Sequence, residues 1–140
     1  MTRTRYGLRG SDAVESLLSA IFSLGGIGYA ALGSGQEVLM RTAPGLETGT
    51  TAETNFYEEL LVNPTLLGLA SQRALLDCGG LNYIAIGYGD FTQLILPIQG
   101  GHLSVGVSRK ANPGELAARI RPIVMRCGLD RKPPAPWLTS

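Results

Sequence analysis

Few residues in this chain have the chemistry for acid–base work. His102 is the single histidine, so it is the one side chain of its type that could act as a general base near neutral pH. A single histidine also excludes a metal motif built on two histidines. Because His102 opens a predicted strand beside Gly101, we interpret it as an ordinary strand-end residue.

Other candidate groups also have structural explanations. Glu58 and Glu59 form a possible carboxylate pair. Adjacent residues on a helix point in different directions, so we expect both side chains to face solvent. The lysines are Lys110 and Lys132, and neither follows a glycine, which excludes a phosphate-binding P-loop.

Two glycine pairs also fail as phosphate sites. Gly79-Gly80 and Gly100-Gly101 are predicted turns, because no helix begins directly after either pair. We predict no catalytic residue, no cofactor and no bound metal.

Length and composition indicate one compact domain. The chain has 140 residues, 44% of them hydrophobic and 16% charged, which suggests that part of its surface is covered in an assembly. Its apolar runs are far shorter than the ~20 residues that a bilayer requires. No apolar signal core follows the first arginines, so we expect a cytoplasmic protein without membrane insertion. Cys78 and Cys127 are then expected to be reduced thiols at helix ends.

Charge is unevenly distributed along the chain. Residues 43–100 contain six acidic residues and one arginine, whereas residues 101–140 contain seven basic and two acidic residues. The basic residues lack the interleaved aromatic side chains of a nucleic-acid site. The asymmetry therefore favours orientation of a protein partner, or of a second copy of the chain, over nucleic-acid binding.

Residues 81–108 read as three consecutive strands, at 81–88, 91–98 and 102–108. Gly89-Asp90 supplies the first turn and residues 99–101 the second. The last strand alternates apolar and small or polar residues with a period of two. The middle strand is apolar on both faces at Leu94, Ile95 and Leu96, so helices should cover both sides of the sheet.

The remaining segments read as helices and a hairpin. A first helix begins at Ser11 or Asp12, carries one apolar stripe and ends at Gly25-Gly26. Residues 27–32 and 37–42 form a hairpin, which brings the predicted sheet to five strands. Asn112-Pro113 caps a last helix that ends at Gly128.

The second helical region is interrupted by Asn63-Pro64, which predicts two nearly collinear helices over 54–62 and 64–76. Leu61 and Leu75 are assigned to the buried side. Leu66 and Leu69 are apolar but do not belong to this buried side. A helix with apolar residues on more than one side is expected to touch both the sheet and something outside the protomer. Residues 1–10 are predicted to be a flexible basic lead, 11–128 the domain and 129–140 a proline-rich tail.

This order of elements, together with residues 79–120, resembles the Roadblock or dynein light chain family. The resemblance lies in the glycine-rich entry to the third strand, the hairpin at Gly89-Asp90, an apolar strand ending in Pro97, and the helix opened by the segment 111–114. The Asn63-Pro64 interruption and the tail containing Trp137 depart from the family pattern.

The resemblance implies an α/β/α three-layer domain of the α+β class with a five-stranded antiparallel sheet. The element order is helix, two strands, helix, three strands, helix. The first and last helices lie on one face and the second on the other. It also implies a non-catalytic regulator or scaffold of a small Ras-like GTPase, or of a motility or signalling complex such as those of dynein and the lysosome.

The resemblance further implies a homodimer or heterodimer whose third strands pair edge to edge, with the second helices side by side, and we expect a homodimer. The residues agree, because a third strand without proline or charge is a poor exposed edge. The predicted dimer interface comprises Leu81, Asn82, Tyr83, Ile84, Ala85, Ile86, Leu66, Leu69 and Arg73.

Arg73 has two interpretations. It could serve as an arginine finger for a bound GTPase, but a helix-surface pair with Asp77 is favoured. Two other functions stay open for the whole chain. One is a small-molecule sensor with an apolar pocket, and the other is an enzyme that depends on His102.

Overall fold

The computed structural model describes residues 11–34, 37–43, 58–77 and 79–130. Within them, the helices are α1 (Ser11–Phe22), α2 (Asn63–Asp77) and α3 (Pro113–Arg126), and a π-helical turn (Glu58–Val62) directly precedes α2. The strands are β1 (Ile27–Ser34), β2 (Glu37–Thr42), β3 (Ile84–Gly87), β4 (Thr92–Ile98) and β5 (Gly101–Val107). The predicted basic lead, Cys78 and the tail from residue 131 lie outside the described residues.

The five strands form one antiparallel sheet in the order β2-β1-β5-β4-β3. The β3–β4 hairpin turns at Gly89-Asp90, where the Tyr88 amide donates to the Phe91 carbonyl at 2.8 Å. The β4–β5 turn contains Gly100 with φ +81°, a left-handed conformation that suits glycine. The predicted fold class, three layers around a five-stranded antiparallel sheet, is confirmed.

One face of the sheet carries the hydrophobic core. Alternate residues of β1, β4 and β5 pack there against apolar stripes on α1 and α3. Leu17, Ile21, Leu96, Leu103 and Ile120 are completely buried in this layer. Each side chain of this size contributes about 1.5–3 kcal/mol when fully buried, so this layer supplies most of the apolar stabilisation.

Local signals set the helix ends as the sequence predicts. The Asn112 side-chain oxygen accepts from the Glu115 amide at 3.0 Å, which caps α3 beside Pro113. Gly128 has φ +73° and ends the same helix. None of the helices in the described ranges is long and apolar enough to cross a membrane.

The π turn and α2 cover the opposite face. An α-helix begins at Asn63-Pro64, as predicted, but the segment before it is described only from Glu58 and is π-helical. Pro64 has no N–H group to donate to the residue four positions earlier, so regular α-helical bonding cannot run through this point. Leu61 and Leu75 were predicted to be buried, and this is wrong, because they are 52% and 42% exposed.

The buried side of this helix is narrower than predicted. The buried residues of the described segment 58–77 are Glu59, Asn63, Leu67 and Ala74, which form one line along the helix. Leu61 and Leu75 lie off that line and therefore cannot reach the sheet.

Candidate functional site

β3 forms one open edge of the sheet. It pairs with β4 from Ile84↔Ile95 to Gly87↔Thr92, and within the described ranges no strand pairs with its other side. An edge strand directs part of its backbone N–H and C=O groups away from its own sheet. β3 contains neither a charged residue nor a proline, so its outer side can accept another strand.

The opposite edge, β2, carries charge. Glu37 and Arg41 lie on this strand, and Arg41 Nη2 is 2.7 Å from Glu15 Oε2 of α1. Charged side chains on an edge strand oppose the addition of another strand. β3 is therefore the better candidate of the two edges for pairing with a second chain.

β3 is shorter than the strand predicted over residues 81–88. Leu81, Asn82 and Tyr83 precede it without regular secondary structure. Arg121 Nη2 of α3 donates to the Asn82 backbone carbonyl at 2.9 Å and to its side-chain oxygen at 3.2 Å, and Tyr83 packs against the core. These contacts tie the segment to α3, so the ladder begins only at Ile84.

Beside this edge, α2 exposes large apolar side chains. It packs over β4 and β5, and β4 is the neighbour of β3. Leu69 is 65% exposed and Leu76 is 77% exposed, and a spacing of seven residues places them on the same side of the helix. Leu66 is half-buried and Arg73 is exposed. Exposed leucines on one helix next to an open strand edge are typical of a protein–protein interface.

A buried polar cluster lies beneath the π turn. Glu59 is 1% exposed and His102 is 3% exposed. His102 Nε2 is 2.8 Å from Glu59 Oε1, which also accepts from Asn63 Nδ2 at 3.0 Å. Gln93 Nε2 donates to Asn63 Oδ1 at 3.3 Å and to Ser104 Oγ at 2.9 Å. The cluster joins the helix to β4 and β5.

A glycine makes room for the histidine. A Cβ atom at Gly33 of β1 would lie 2.4 Å from His102 Cε1, so the imidazole ring rests directly against this residue. A side chain at this position would displace the ring from Glu59. The imidazole is thus held between β1 and the π turn, an arrangement that suits a structural role.

An aromatic group holds the outer end of the π turn. Tyr88 stacks on Phe91, and its hydroxyl donates to Glu58 Oε2 at 2.9 Å. Partial burial, followed by the hydrogen bond and the charge of Glu58, raises the pKa of Tyr88 to about 12. Burial also raises the pKa of Tyr29, which contacts Phe91 edge-on.

Known structures share the fold of this chain. No protein family model and no curated protein sequence matches the chain. A Roadblock/LC7 domain from Streptomyces avermitilis superimposes with a TM-score of 0.60 at 15% identity, over 89% of this chain and 96% of that one. The gliding protein MglB from Thermus thermophilus gives a TM-score of 0.63 at 17% identity, over 90% of this chain and 97% of that one.

The chain has the Roadblock/LC7 fold. MglC from Myxococcus xanthus also matches, with a TM-score of 0.51 at 10% identity over 82% of this chain and 96% of that one. Coverage of nearly the whole of each relative shows that the similarity is to a complete Roadblock domain and not to a shared hairpin. The predicted resemblance is confirmed at the level of the fold.

The Roadblock fold places the predicted interface residues in three environments. Ile84, Ala85 and Ile86 lie on the edge strand, and the residues 81–83 flank it near α3. Leu66, Leu69 and Arg73 lie on α2, with Leu69 the most exposed of the apolar pair. Leu76, which was not among the predicted interface residues, is more exposed than Leu69 and lies on the same side.

The sequence interpretation of Glu59 was wrong. It was expected to face solvent, but it is buried against His102, whereas its neighbour Glu58 is half-buried and bonded to Tyr88. His102 does lie near the start of β5, directly after Gly101, but its side chain is buried and bonded, which a position near the strand end alone does not indicate. The signal that could have revealed this was the alternation of His102, Ser104 and Gly106 in β5, which gives one sheet face a polar or small surface.

Proposed function

We propose that this chain is a non-catalytic homodimeric regulator or scaffold that binds a small Ras-like GTPase or a related motility or signalling complex. The observation that carries the proposal is the position of β3 as an uncharged, open sheet edge. Two copies related by a two-fold axis would pair their β3 strands and form a continuous sheet.

The exposed leucines of α2 support the same arrangement. A two-fold axis at the β3 edge would bring the two α2 helices together on one side of the joined sheet. Leu69 and Leu76 would then be buried between the copies, with Leu66 and Arg73 beside them. The residues 81–83 would flank the join.

The Roadblock fold supports a role in protein recognition. MglB is named a gliding protein, and one MglB structure with a tetrameric arrangement gives a TM-score of 0.59 at 17% identity over 90% of this chain and 99% of that one. The resemblance to the Roadblock family implies GTPase regulation, and the dimer would present a composite surface to such a partner. We propose that this work takes place in the cytoplasm.

The experiment has two stages. Sedimentation velocity of the full chain tests whether it is a dimer over a wide range of concentrations. Affinity capture from native lysate, loaded in parallel with GDP and with a non-hydrolysable GTP analogue, then tests whether a Ras-like GTPase is retained. Retention that depends on the nucleotide supports regulation, retention that does not supports a scaffold, and a monomer that retains no GTPase contradicts the proposal.

A second candidate function is small-molecule sensing. A cleft of about 400 Å³ lies beside His102, with Pro64 and Leu67 of α2 on one wall and Pro97 of β4 on the other. This volume is within the range of ligand sites, which is about 300–1,000 Å³. Ligand-induced shifts in melting temperature, absent in Leu67→Trp, would support this candidate over the first.

A further inference from the structure

The two helical layers are attached to the sheet by different kinds of contact. α1 and α3 bury apolar stripes, whereas no residue of the described segment 58–77 belongs to the hydrophobic core cluster. We call this segment, the π turn with α2, the helical arm. Of its four buried residues, Glu59 and Asn63 are polar, and Leu67 and Ala74 are apolar.

The sheet surface beneath the arm is equally poor in large apolar groups. The strands present Ala31 and Gly33 from β1, together with His102, Ser104 and Gly106 from β5. The larger apolar groups on this face include Ile95 of β4, which is completely buried, and Tyr29 of β1, whose ring rests against Gly106. Few buried apolar contacts mark the segments that open at low free energy in native proteins.

The polar cluster supplies an attachment of the arm to the sheet that the few apolar contacts do not provide. Glu59 Oε1 lies 2.8 Å from His102 Nε2 and 3.0 Å from Asn63 Nδ2, and all three side chains are buried. Removing the carboxylate would leave both nitrogens without this partner in a buried site, which is costly. Glu59 is therefore the buried side chain that joins the π turn to β5, in addition to the exposed bond between Tyr88 and Glu58 and the bond from Gln93 of β4 to Asn63.

We infer that the helical arm opens as a unit, separately from the remainder of the domain, and that the Glu59–His102 pair is the latch that holds it closed. The arm swings or unfolds while the sheet, α1 and α3 stay intact, because their core does not include it. The inference adds a means of control to the proposed function, and the part that concerns the dimer surface rests on that proposed function. The arm carries Leu69 and Leu76, so the latch sets whether the proposed dimer surface is formed.

Hydrogen exchange of the full-length chain tests the inference. In the wild type, amides of residues 58–77 should exchange at least about tenfold faster than amides of β4, β5 and α3, with a weaker dependence on denaturant. Glu59→Ala should accelerate exchange in the arm by a further factor of at least about ten and leave the core strands nearly unchanged.

The neighbouring carboxylate provides a matched control. Glu58→Ala removes an acid from the same turn, but that acid bonds to Tyr88 at an exposed position, so it should change exchange in the arm much less. Glu59→Gln retains an acceptor oxygen and should fall between Glu59→Ala and the wild type. Equal acceleration in the arm and the core, or equal effects of Glu58→Ala and Glu59→Ala, would overturn the latch.

A destabilised variant that fails to fold does not block the test, because the wild type gives its own result. If its arm and core amides share one exchange rate and one denaturant dependence, the arm is not a separate unit and the inference is wrong. If the arm exchanges separately but at the same rate in the wild type and in Leu69→Ala under conditions where sedimentation shows this variant to be monomeric and the wild type dimeric, the arm is supported and the dimer surface proposed on it is not.

Discussion

Replacing Leu69 with alanine should weaken the proposed dimer and leave the protomer folded. Leu69 is 65% exposed, so its own protomer gains little from it. Complete burial of a leucine contributes about 1.5–3 kcal/mol, and burial of the exposed part by a partner therefore contributes about 1–2 kcal/mol. A two-fold dimer contains the residue twice, so the variant should lose about 2–4 kcal/mol and raise Kd roughly 30-fold to 1,000-fold.

Sedimentation velocity over a dilution series measures this Kd, and thermal unfolding reports on the fold. Met125→Ala is the matched control, because Met125 is 57% exposed on α3, across the sheet from α2. This control should leave Kd unchanged. A Leu69→Ala variant that dimerises like the wild type, or a Met125→Ala variant that dissociates as readily, would refute the assignment of the interface to α2.

Three further predictions concern the fold and the arm. Leu96→Ala should lower the free energy of unfolding by about 2–5 kcal/mol in chemical denaturation, because Leu96 is completely buried in the core. Gly33→Ala should speed hydrogen exchange in residues 58–77, because its Cβ would displace the His102 ring from Glu59. Glu58→Gln should lower the pKa of Tyr88 from about 12 toward its ordinary value, as measured by phenolate absorbance against Tyr88→Phe.

The sign of the tyrosine effect follows from the direction of the pKa shift. Because folding raises the pKa of Tyr88, its protonated form favours the folded state at any pH below about 10, and this contribution is lost as the pH rises through about 12. An unchanged titration in Glu58→Gln would show that the negative charge of Glu58 does not contribute to the raised pKa of Tyr88. Equal exchange in Gly33→Ala and the wild type would show that the His102 ring is not confined by β1.

Local signals were sufficient to predict most elements of this fold. The cap at Asn112-Pro113 and the alternation in β5 depend on residues close in sequence, and the structure reproduces them. The edge position of β3 has a different origin. Strand order is a property of the whole chain, so this position came from the resemblance to the Roadblock family and not from the periodicity of the strand.

Contacts between distant residues explain the wrong predictions. The strand predicted from Leu81 starts later because Arg121, 39 residues beyond Asn82, holds that segment. The Glu59–His102 pair joins residues 43 positions apart, and only the placement of the helix on the sheet brings them together. Periodicity describes which side of one element is apolar, but it does not reveal a polar contact between two elements.

Cysteine scanning along β3 tests the central claim, the pairing of two copies at this edge, most directly. In a variant lacking Cys78 and Cys127, single substitutions at residues 84–87 place a thiol at each position of the strand. Directly opposed residues of antiparallel strands have Cβ atoms about 4.5–5.5 Å apart, close enough for some pairs to form a disulfide. The account predicts a covalent dimer of twice the 14.8 kDa chain mass for at least one position, and none for Met125→Cys. A chain that stays monomeric at all four positions, or that cross-links equally well through residue 125, would contradict it.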